Sequence, residues 1–257
     1  ATGNQTAIFT PVTGYKADYV DYTLGLTDDS LQALTITGDQ KLEFTSAITQ
    51  LKLASIDASA NTGGVTIDAS AADTTANGAV ALTIKGSATA ANTLTGTQNV
   101  DTISGGAKAD TITGGLGGDT LTGGAGNDTF IYASASESTI TAGETDTITD
   151  FSANTVGDAT TGAVQANADS TKWTGDVIDL SAVPTLIASQ IKVGVYTNAA
   201  DCLTFIANDS SVPGFAYAAL DSSTGALYLD TNNDQVADMY MKLTGATTIT
   251  AAAFKMA

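Results

Sequence analysis

The chain has 257 residues, of which 27 are acidic and 9 basic, giving a formal net charge of −18 at neutral pH. Every basic residue is Lys, because the sequence contains neither His nor Arg. Without His there is no Ser–His or Cys–His nucleophile pair and no His-ligated zinc, so we expect that this chain is not an enzyme. We expect no nucleic-acid partner, because so acidic a chain repels a polyanion, and no apolar run approaches the roughly 20 residues of a membrane span.

Carboxylates dominate the polar chemistry, and carboxylate and carbonyl oxygens are the ligands that Ca²⁺ prefers. The single cysteine, Cys202, cannot form an internal disulfide, and its apolar surroundings predict a buried small hydrophobe. The chain begins at Ala1 without a signal peptide, so we expect a fragment, or a protein exported by a signal elsewhere.

Residues 1–30 are aromatic and acidic and are interpreted as an N-terminal adapting segment. Residues 31–95 alternate apolar residues with Thr, Ser and Lys, which predicts short strands. The near repetition of residues 55–59 at 66–70 indicates equivalent corners of successive coils, so a right-handed parallel β-helix is favoured, with an antiparallel sandwich as the alternative. The predicted strands are residues 31–37, 41–45, 50–57, 64–68 and 80–85.

Residues 96–131 divide into four units of nine residues, and the last two match Gly-Gly-x-Gly-x-Asp-x-U-x at every defined position, where U is a large apolar residue. The sixth position is always Asp and the eighth always apolar. A six-residue turn followed by a three-residue strand makes half a coil, so two units make one turn of a flattened right-handed β-roll. The sixth-position residues are Asp101, Asp110, Asp119 and Asp128, and the eighth-position residues are Ile103, Ile112, Leu121 and Phe130.

Glycine suits these turns because they need positive φ and a close approach of carbonyls to an ion. Units two apart lie one above another, so an ion between successive turns would join the carboxylates and carbonyls of two coils. Without calcium the stacked carboxylates repel one another, and ordering the turns costs about 1–2 kcal/mol of backbone entropy per residue. We therefore expect the roll to be disordered without calcium.

Residues 132–257 are predicted to form a strand-rich β cap for the roll, with a polar loop at residues 152–174. The predicted strands are residues 145–151, 175–181, 190–195, 203–206, 215–220, 226–230 and 239–243. Four carboxylates close to the first two of these strands could also bind ions: Asp146, Asp150, Asp176 and Asp179.

A further acidic cluster lies directly after the strand at residues 226–230, and its spacing resembles part of an EF-hand loop. Its members are Asp230, Asn232, Asp234 and Asp238. The sixth position is Gln235 where an EF-hand has Gly, and Met241 stands at the twelfth where it has Glu. A solvated hairpin turn is the favoured alternative to a calcium site.

The nonapeptides and the strands after them resemble the RTX (repeats-in-toxin) family of type I-secreted proteins, over roughly residues 96–257. The resemblance implies that the sixth-position Asp residues bind Ca²⁺ together with the Gly-rich turns, although Thr97, Asn99 and Lys108 replace the usual Gly in the first two units. It also implies an uncleaved secretion signal near the C-terminus, at residues 247–257. The implied turn glycines are Gly105, Gly106, Gly114, Gly115, Gly117, Gly123, Gly124 and Gly126.

The Thr- and Ala-rich residues 31–95 resemble surface-layer chains more than a catalytic domain. We therefore expect the calcium-dependent self-assembly and export region of a secreted bacterial surface-layer protein, at the cell surface. The expected partners are calcium, further copies of the chain in a lattice, the type I secretion machinery and a cell-surface polysaccharide. The alternative is a calcium-binding secretion and stabilisation module of a larger secreted enzyme or adhesin.

Overall fold

The computed structural model describes residues 5–9, 20–21, 31–44, 53–71, 81–152, 175–183, 190–209 and 215–256. These residues fall into two compact units, residues 1–126 and residues 127–257. Most of the predicted polar loop at residues 152–174 lies outside the described residues.

The first unit contains two parallel sheets, because the chain passes to the opposite sheet with each new strand. Odd-numbered strands form one, the odd sheet, in the order β1-β3-β5-β7-β9-β11, and even-numbered strands form the other, the even sheet, in the order β2-β4-β6-β8-β10. The strands are β1 (Gln5–Phe9), β2 (Val20–Asp21), β3 (Leu31–Gly38), β4 (Leu42–Phe44), β5 (Ser55–Asn61), β6 (Val65–Asp68), β7 (Thr83–Lys85), β8 (Thr93–Thr95), β9 (Thr102–Gly106), β10 (Thr111–Thr113) and β11 (Thr120–Gly124).

Every strand pair in the first unit is parallel, so the described part of residues 31–95 continues the same two sheets as the nonapeptides. The parallel β-helix is confirmed, and the antiparallel sandwich is wrong for this part of the chain. The alternation of apolar and polar residues explains the arrangement, because one side of each short strand faces the interior.

Two files of apolar side chains fill the interior between the sheets. In the odd sheet the register stacks Leu34, Ile56, Ile84, Ile103 and Leu121, and in the even sheet it stacks Phe44, Ile67, Leu94 and Ile112. Each is at most 4 % exposed. Burying a side chain of this size contributes about 1.5–3 kcal/mol to stability. The burial of Ile103, Ile112 and Leu121 confirms that the eighth position of the nonapeptide is a core position.

The repeated corners at residues 55–59 and 66–70 lie on opposite sheets rather than one above another, since β5 belongs to the odd sheet and β6 to the even sheet. In both, Oδ1 of the Asp accepts the N–H and the hydroxyl of the Ser two residues later. The sequence repeat therefore has a period of half a coil.

The second unit contains two sheets and the α-helix of the described residues. The order of the larger sheet is β13-β18-β17-β16-β15, and that of the smaller is β12-β14-β19. Strand β17 runs antiparallel to both of its neighbours, and the remaining described pairs are parallel. The elements are β12 (Thr129–Ile131), β13 (Asp146–Ile148), β14 (Val177–Asp179), β15 (Gln190–Tyr196), α1 (Ala199–Asp209), β16 (Phe215–Asp221), β17 (Ala226–Asp230), β18 (Met239–Leu243) and β19 (Phe254–Lys255), with 3-10 turns at Ala135–Glu137 and Ala251–Ala253.

The strand predicted at residues 203–206 is wrong, because these residues lie in helix α1. Oδ1 of Asn198 accepts the N–H of Asp201 and satisfies one of the first N–H groups of the helix. Cys202 and Ile206, four residues apart, lie on the same helix face and are buried in a cluster with Tyr217. Cys202 is fully buried, as its surroundings predict.

Candidate metal centre

In the first compact unit the sixth-position aspartates lie in two columns, each with the residues that stand at the same place in neighbouring coils. The odd-sheet column is Leu82, Asp101 and Asp119, because the residues after them pair in register. The even-sheet column is Val65, Asn92 and Asp110. Each of these aspartates is at most 1 % exposed, and in the odd-sheet column the carboxylates of Asp101 and Asp119 are buried one coil above another.

Hydrogen bonds tie each carboxylate to the coil before it. Oδ1 of Asp119 accepts the N–H of Asp101 at 2.8 Å, and Oδ1 of Asp101 accepts the N–H of Leu82 at 2.9 Å. In the even-sheet column, Oδ1 of Asp110 accepts the N–H of Asn92 at 2.7 Å. One carboxylate oxygen thus serves the stacking of the coils.

The other carboxylate oxygen lies against the first glycine of its own unit. A Cβ on Gly114 would be 2.3 Å from Oδ2 of Asp119, and a Cβ on Gly105 would be 2.3 Å from Oδ2 of Asp110. Both contacts are closer than side chains tolerate, so the first position must be Gly. The turn therefore folds closely around its own carboxylate.

The second position is Gly because the turns of successive coils approach each other closely there. A Cβ on Gly115 would be 1.9 Å from the carbonyl oxygen of Thr97, one coil earlier, and Gly115 has a φ of +108°. Both the space and the left-handed backbone exclude a side chain. The carbonyl oxygen of Thr97 is therefore directed at the next turn.

The three residues that replace Gly in the first two nonapeptides leave the turns intact. The N–H of Thr97 donates to Oδ2 of Asp101 at 2.6 Å, and the hydroxyl of Thr97 accepts the N–H of Asn99 at 3.0 Å. The side chain of Lys108 is exposed. The main-chain carbonyl of Lys108 lies close to Gly126, where an added Cβ would be 2.7 Å from the carbonyl oxygen.

These turns offer the oxygen ligands that calcium prefers. Burial raises the pKa of Asp101 and of Asp110, although backbone N–H groups act in the opposite direction. A buried carboxylate of this kind is stabilised by a cation beside it. Within the described residues no three acidic or cysteine side chains converge on one point. Calcium would therefore be held by carboxylates together with turn carbonyls, and the glycine cradles fit that ligand set.

The second unit repeats this arrangement at Asp128 and Asp176. Oδ1 of Asp176 accepts the N–H of Asp128 at 3.0 Å, and the strands after the two residues pair in parallel. Gly175 precedes Asp176, with a φ of +144°. Burial raises the pKa of the Asp176 carboxyl, and the charge of Asp150 raises it further. The structure thus joins Asp128 to Asp176 and places Asp150 near enough to raise the pKa of Asp176. Calcium binding by these residues stays a prediction.

Asp146 and Asp179 are engaged elsewhere. Oδ2 of Asp146 accepts the hydroxyl of Tyr132 at 2.9 Å. Asp179 accepts from the main chain and hydroxyl of Ser181 through Oδ1, and Lys255 donates to its Oδ2 at 2.7 Å. The structure therefore gives both carboxylates protein partners that explain their burial.

The cluster at residues 230–238 forms the hairpin loop between the antiparallel strands β17 and β18. Its terminal carboxylates accept main-chain N–H groups of the loop: Asp230 from Asn233 and Gln235, and Asp238 from Thr231 and Asn232. Asp234 accepts the N–H of Val236. The structure shows the hairpin, but Asp230 is fully buried rather than solvated, and burial raises its pKa. Calcium binding at this loop stays a prediction.

Asn92 and Ser87 are site residues that the repeat pattern missed. They belong to a further unit, residues 87–95, that has Asn at the sixth position and the buried Leu94 at the eighth. The unit has no Gly at its first, second or fourth position, and this concealed it. The nine-residue spacing of the core position from Leu94 to Ile103 was the signal that could have revealed it.

A parallel β-roll with glycine-rich turns that close on buried aspartates defines a calcium-binding roll protein. Four copies of the RTX calcium-binding nonapeptide repeat match residues 95–130, so this chain contains an RTX-type repeat region. A search of curated proteins found no match. RTX-repeat proteins bind Ca²⁺ and are typically secreted. No helix among the described residues is long and apolar enough to cross a bilayer.

Proposed function

We propose that this chain is the calcium-dependent self-assembly and export region of a secreted bacterial surface-layer protein. The observation that carries the proposal is the coil-to-coil stacking of buried carboxylates in glycine cradles. Asp101, Asp110, Asp119 and Asp128, together with turn carbonyls, would hold calcium, which supplies positive charge to the stacked carboxylates. Because a buried charge without a counterion is costly, these residues would order the roll only where calcium is abundant.

Calcium concentration then separates export from folding. Extracellular calcium modules typically have dissociation constants of about 10⁻⁴–10⁻³ M, so the calcium roll would stay unfolded in the calcium-poor cytoplasm and fold outside the cell. We propose that the type I secretion machinery reads residues 247–257 before folding. Strand β19, at Phe254–Lys255, pairs with β14, so in the folded chain this segment would no longer be free for the machinery to bind.

The β-helix supports a structural role. Its outward positions carry Thr in register, as at Thr66, Thr93 and Thr111 on neighbouring strands of the even sheet. Such a regular polar face, on a chain of net charge −18, suits packing of copies through bridging cations. A cell-surface polysaccharide is the proposed attachment partner.

We propose further that the chain has no enzymatic activity of its own, since its sequence contains no His and no Arg. The alternative role, as the export and stabilisation module of a larger secreted enzyme or adhesin, uses the same calcium sites. The two roles differ in the behaviour of the folded chain: the surface-layer role requires assembly, and the module should remain monomeric.

Light scattering and electron microscopy during a calcium titration test the proposal, with circular dichroism to monitor folding. We expect calcium to induce β-structure and then sheet-like assemblies in the wild type. In the double variant Asp119→Ala/Asp128→Ala, calcium should induce neither. Asp39→Asn is the matched control, because it removes a charge from an exposed side chain whose hydrogen bond is to its neighbour Gln40. Folding to a lasting monomer would support the module instead, and no response to calcium would refute both roles.

A further inference from the structure

Asn92 occupies the place of a sixth-position Asp one coil before the nonapeptides of the even sheet. Its N–H donates to Oδ1 of Asp110, and its own Oδ1 accepts the N–H of Val65 at 3.2 Å. The side chain thus stacks the coils as the Asp carboxylates do. It differs from them in carrying no charge and in having a donor where a carboxylate has a second oxygen.

The amide nitrogen of Asn92 lies among the types of oxygen that the roll offers to an ion. Nδ2 donates to the carbonyls of Ser87 and Ala90, at 3.1 and 3.0 Å, and to Oδ1 of Asp110 at 2.9 Å. Asn92 is only 4 % exposed. An N–H donor therefore joins the carbonyls of one turn to the carboxylate of the next coil. In the nonapeptide coils that follow, the proposed calcium ions would make this connection.

Neutral side chains also complete the rest of this turn. The hydroxyl of Ser87 donates to the carbonyl of Asn61 at 2.6 Å and accepts the N–H of Ala90 at 3.1 Å. One coil earlier, Oδ1 of Asn61 accepts the N–H groups of Gly63 and Gly64. Side-chain amides and a hydroxyl satisfy these turns without any ion.

In the odd-sheet column, too, the carboxylates begin only with the nonapeptides. Asp101 is the first carboxylate of the odd-sheet column, and the residue before it in that column is the apolar Leu82. Both columns therefore change from neutral residues to carboxylates between residues 92 and 101. The stacked charges that oppose folding without calcium begin only there.

We infer that Asn92 sets the upstream limit of calcium dependence, an inference that rests on the calcium-dependent folding proposed above. The described coils of residues 53–95 fold without calcium, and the Asn92 turn is the template on which the nonapeptide coils assemble once calcium arrives. The template fixes the register, because the N–H groups of Asn92 are already directed at the place that Oδ1 of Asp110 takes.

Hydrogen exchange of the full chain, in chelator and in calcium, tests the inference residue by residue. In chelator we expect the amides of Ala69 and Thr83, which donate to carbonyls within residues 53–95, to stay protected. Those of Thr111 and Thr120 on the nonapeptide strands should exchange freely, and calcium should protect all four. Asn92→Ala should speed exchange at Ala69 and Thr83 by about 100-fold in chelator, because it removes several buried hydrogen bonds.

Asn92→Asp and Thr89→Asp form a matched pair in the same turn. Asn92→Asp removes the donor to the carbonyls of Ser87 and Ala90 and places a charge against them, so protection at Ala69 should be lost in chelator and restored by calcium. Thr89→Asp adds the same charge at an exposed position and should leave the wild-type pattern unchanged.

Loss of protection in chelator at Ala69 and Thr83 as well as at Thr111 and Thr120 in the wild type would overturn the inference and leave calcium-dependent folding standing. Protection of Ala69 in Asn92→Asp without calcium would also overturn it. Failure of the proposed function has a different signature, in which calcium changes exchange at neither Thr111 nor Thr120.

Discussion

Oδ1 of Asp119 accepts the main-chain N–H of Asp101 at 2.8 Å, across 18 residues of sequence. One carboxylate therefore has two functions that substitution can separate, since an amide keeps the accepting oxygen and loses the charge. Asp119→Asn should retain the coil-to-coil hydrogen bond and bind calcium at least about tenfold more weakly, because affinity depends on the charge of the ligands. Calorimetric titration measures the affinity.

Asp119→Ala is the comparison for this variant, because it removes the oxygen as well as the charge. It should be less stable than Asp119→Asn at saturating calcium, by about 1 kcal/mol for the lost hydrogen bond. Equal calcium affinities of Asp119→Asn and the wild type would contradict a role for the charge.

Gly115→Ala tests the close approach of successive turns. Its Cβ would lie 1.9 Å from the carbonyl oxygen of Thr97, whereas Gly143, with a comparable φ of +88°, has nothing within 4 Å of its Cβ. Gly143→Ala should cost only the backbone strain, about 1–2 kcal/mol. Gly115→Ala should lower the melting temperature in calcium by clearly more, and similar values for the two variants would show that the turns can separate.

The pair formed by Asp179 and Lys255 predicts a particular pH dependence of stability. Burial acts to raise the pKa of Asp179, but the hydrogen bond from Lys255 and those from Ser181 outweigh it, so the pKa lies below its ordinary value. The folded state then binds this proton less readily than the unfolded chain does. The resulting stability is present above the ordinary Asp pKa of about 3.9 and is lost as the pH falls through the lower folded value.

Lys255→Met should therefore destabilise the protein at neutral pH, and its difference from the wild type should shrink as the pH falls below about 4. Urea unfolding at a series of pH values gives this difference. A difference that grows on acidification would have the wrong sign for the proposed pair.

Two buried tyrosines offer a matched test of the hydrogen bond to Asp146. The hydroxyl of Tyr132 donates to Oδ2 of Asp146 at 2.9 Å, whereas the hydroxyl of Tyr217 has no hydrogen-bond partner among the described residues. Tyr132→Phe should lower the free energy of unfolding by about 1.5–3 kcal/mol, as for a bond to a charged group. Tyr217→Phe should be neutral or stabilising, and equal losses in the two variants would contradict the argument.

Cys202 provides a probe of the second unit. Burial raises the pKa of its thiol to about 11, with a smaller contribution from Asp221 and then Asp201. Because the thiolate is the reactive form, a disulfide reagent at pH 8 should label the folded protein far more slowly than the unfolded chain. Labelling that is as fast in the folded protein as in urea would contradict the burial.

The nonapeptide period alone predicted the parallel roll, its core and its carboxylates, because a residue such as Ile112 recurs at a spacing that only stacked coils explain. It could not reveal the unit at Asn92, where side-chain hydrogen bonds replace the glycines that mark the motif. Helix α1 was missed because Leu203, Phe205 and Ile206 suggested a strand, while the decisive contacts come from Tyr217 on a distant strand. The partners of Asp146 and Asp179 lie 14 and 76 residues away, beyond the reach of local spacing.

The register of 18 residues between stacked turns, seen from Asp101 to Asp119, also limits how such a chain can change its length. Duplication or loss of a whole coil returns every later strand to its own sheet and every later carboxylate to its own column. Insertion or deletion of a single nonapeptide would move every later strand to the opposite sheet. Insertion or deletion of one residue would move the core positions out of the interior. Genes for such rolls should therefore vary in length by whole coils.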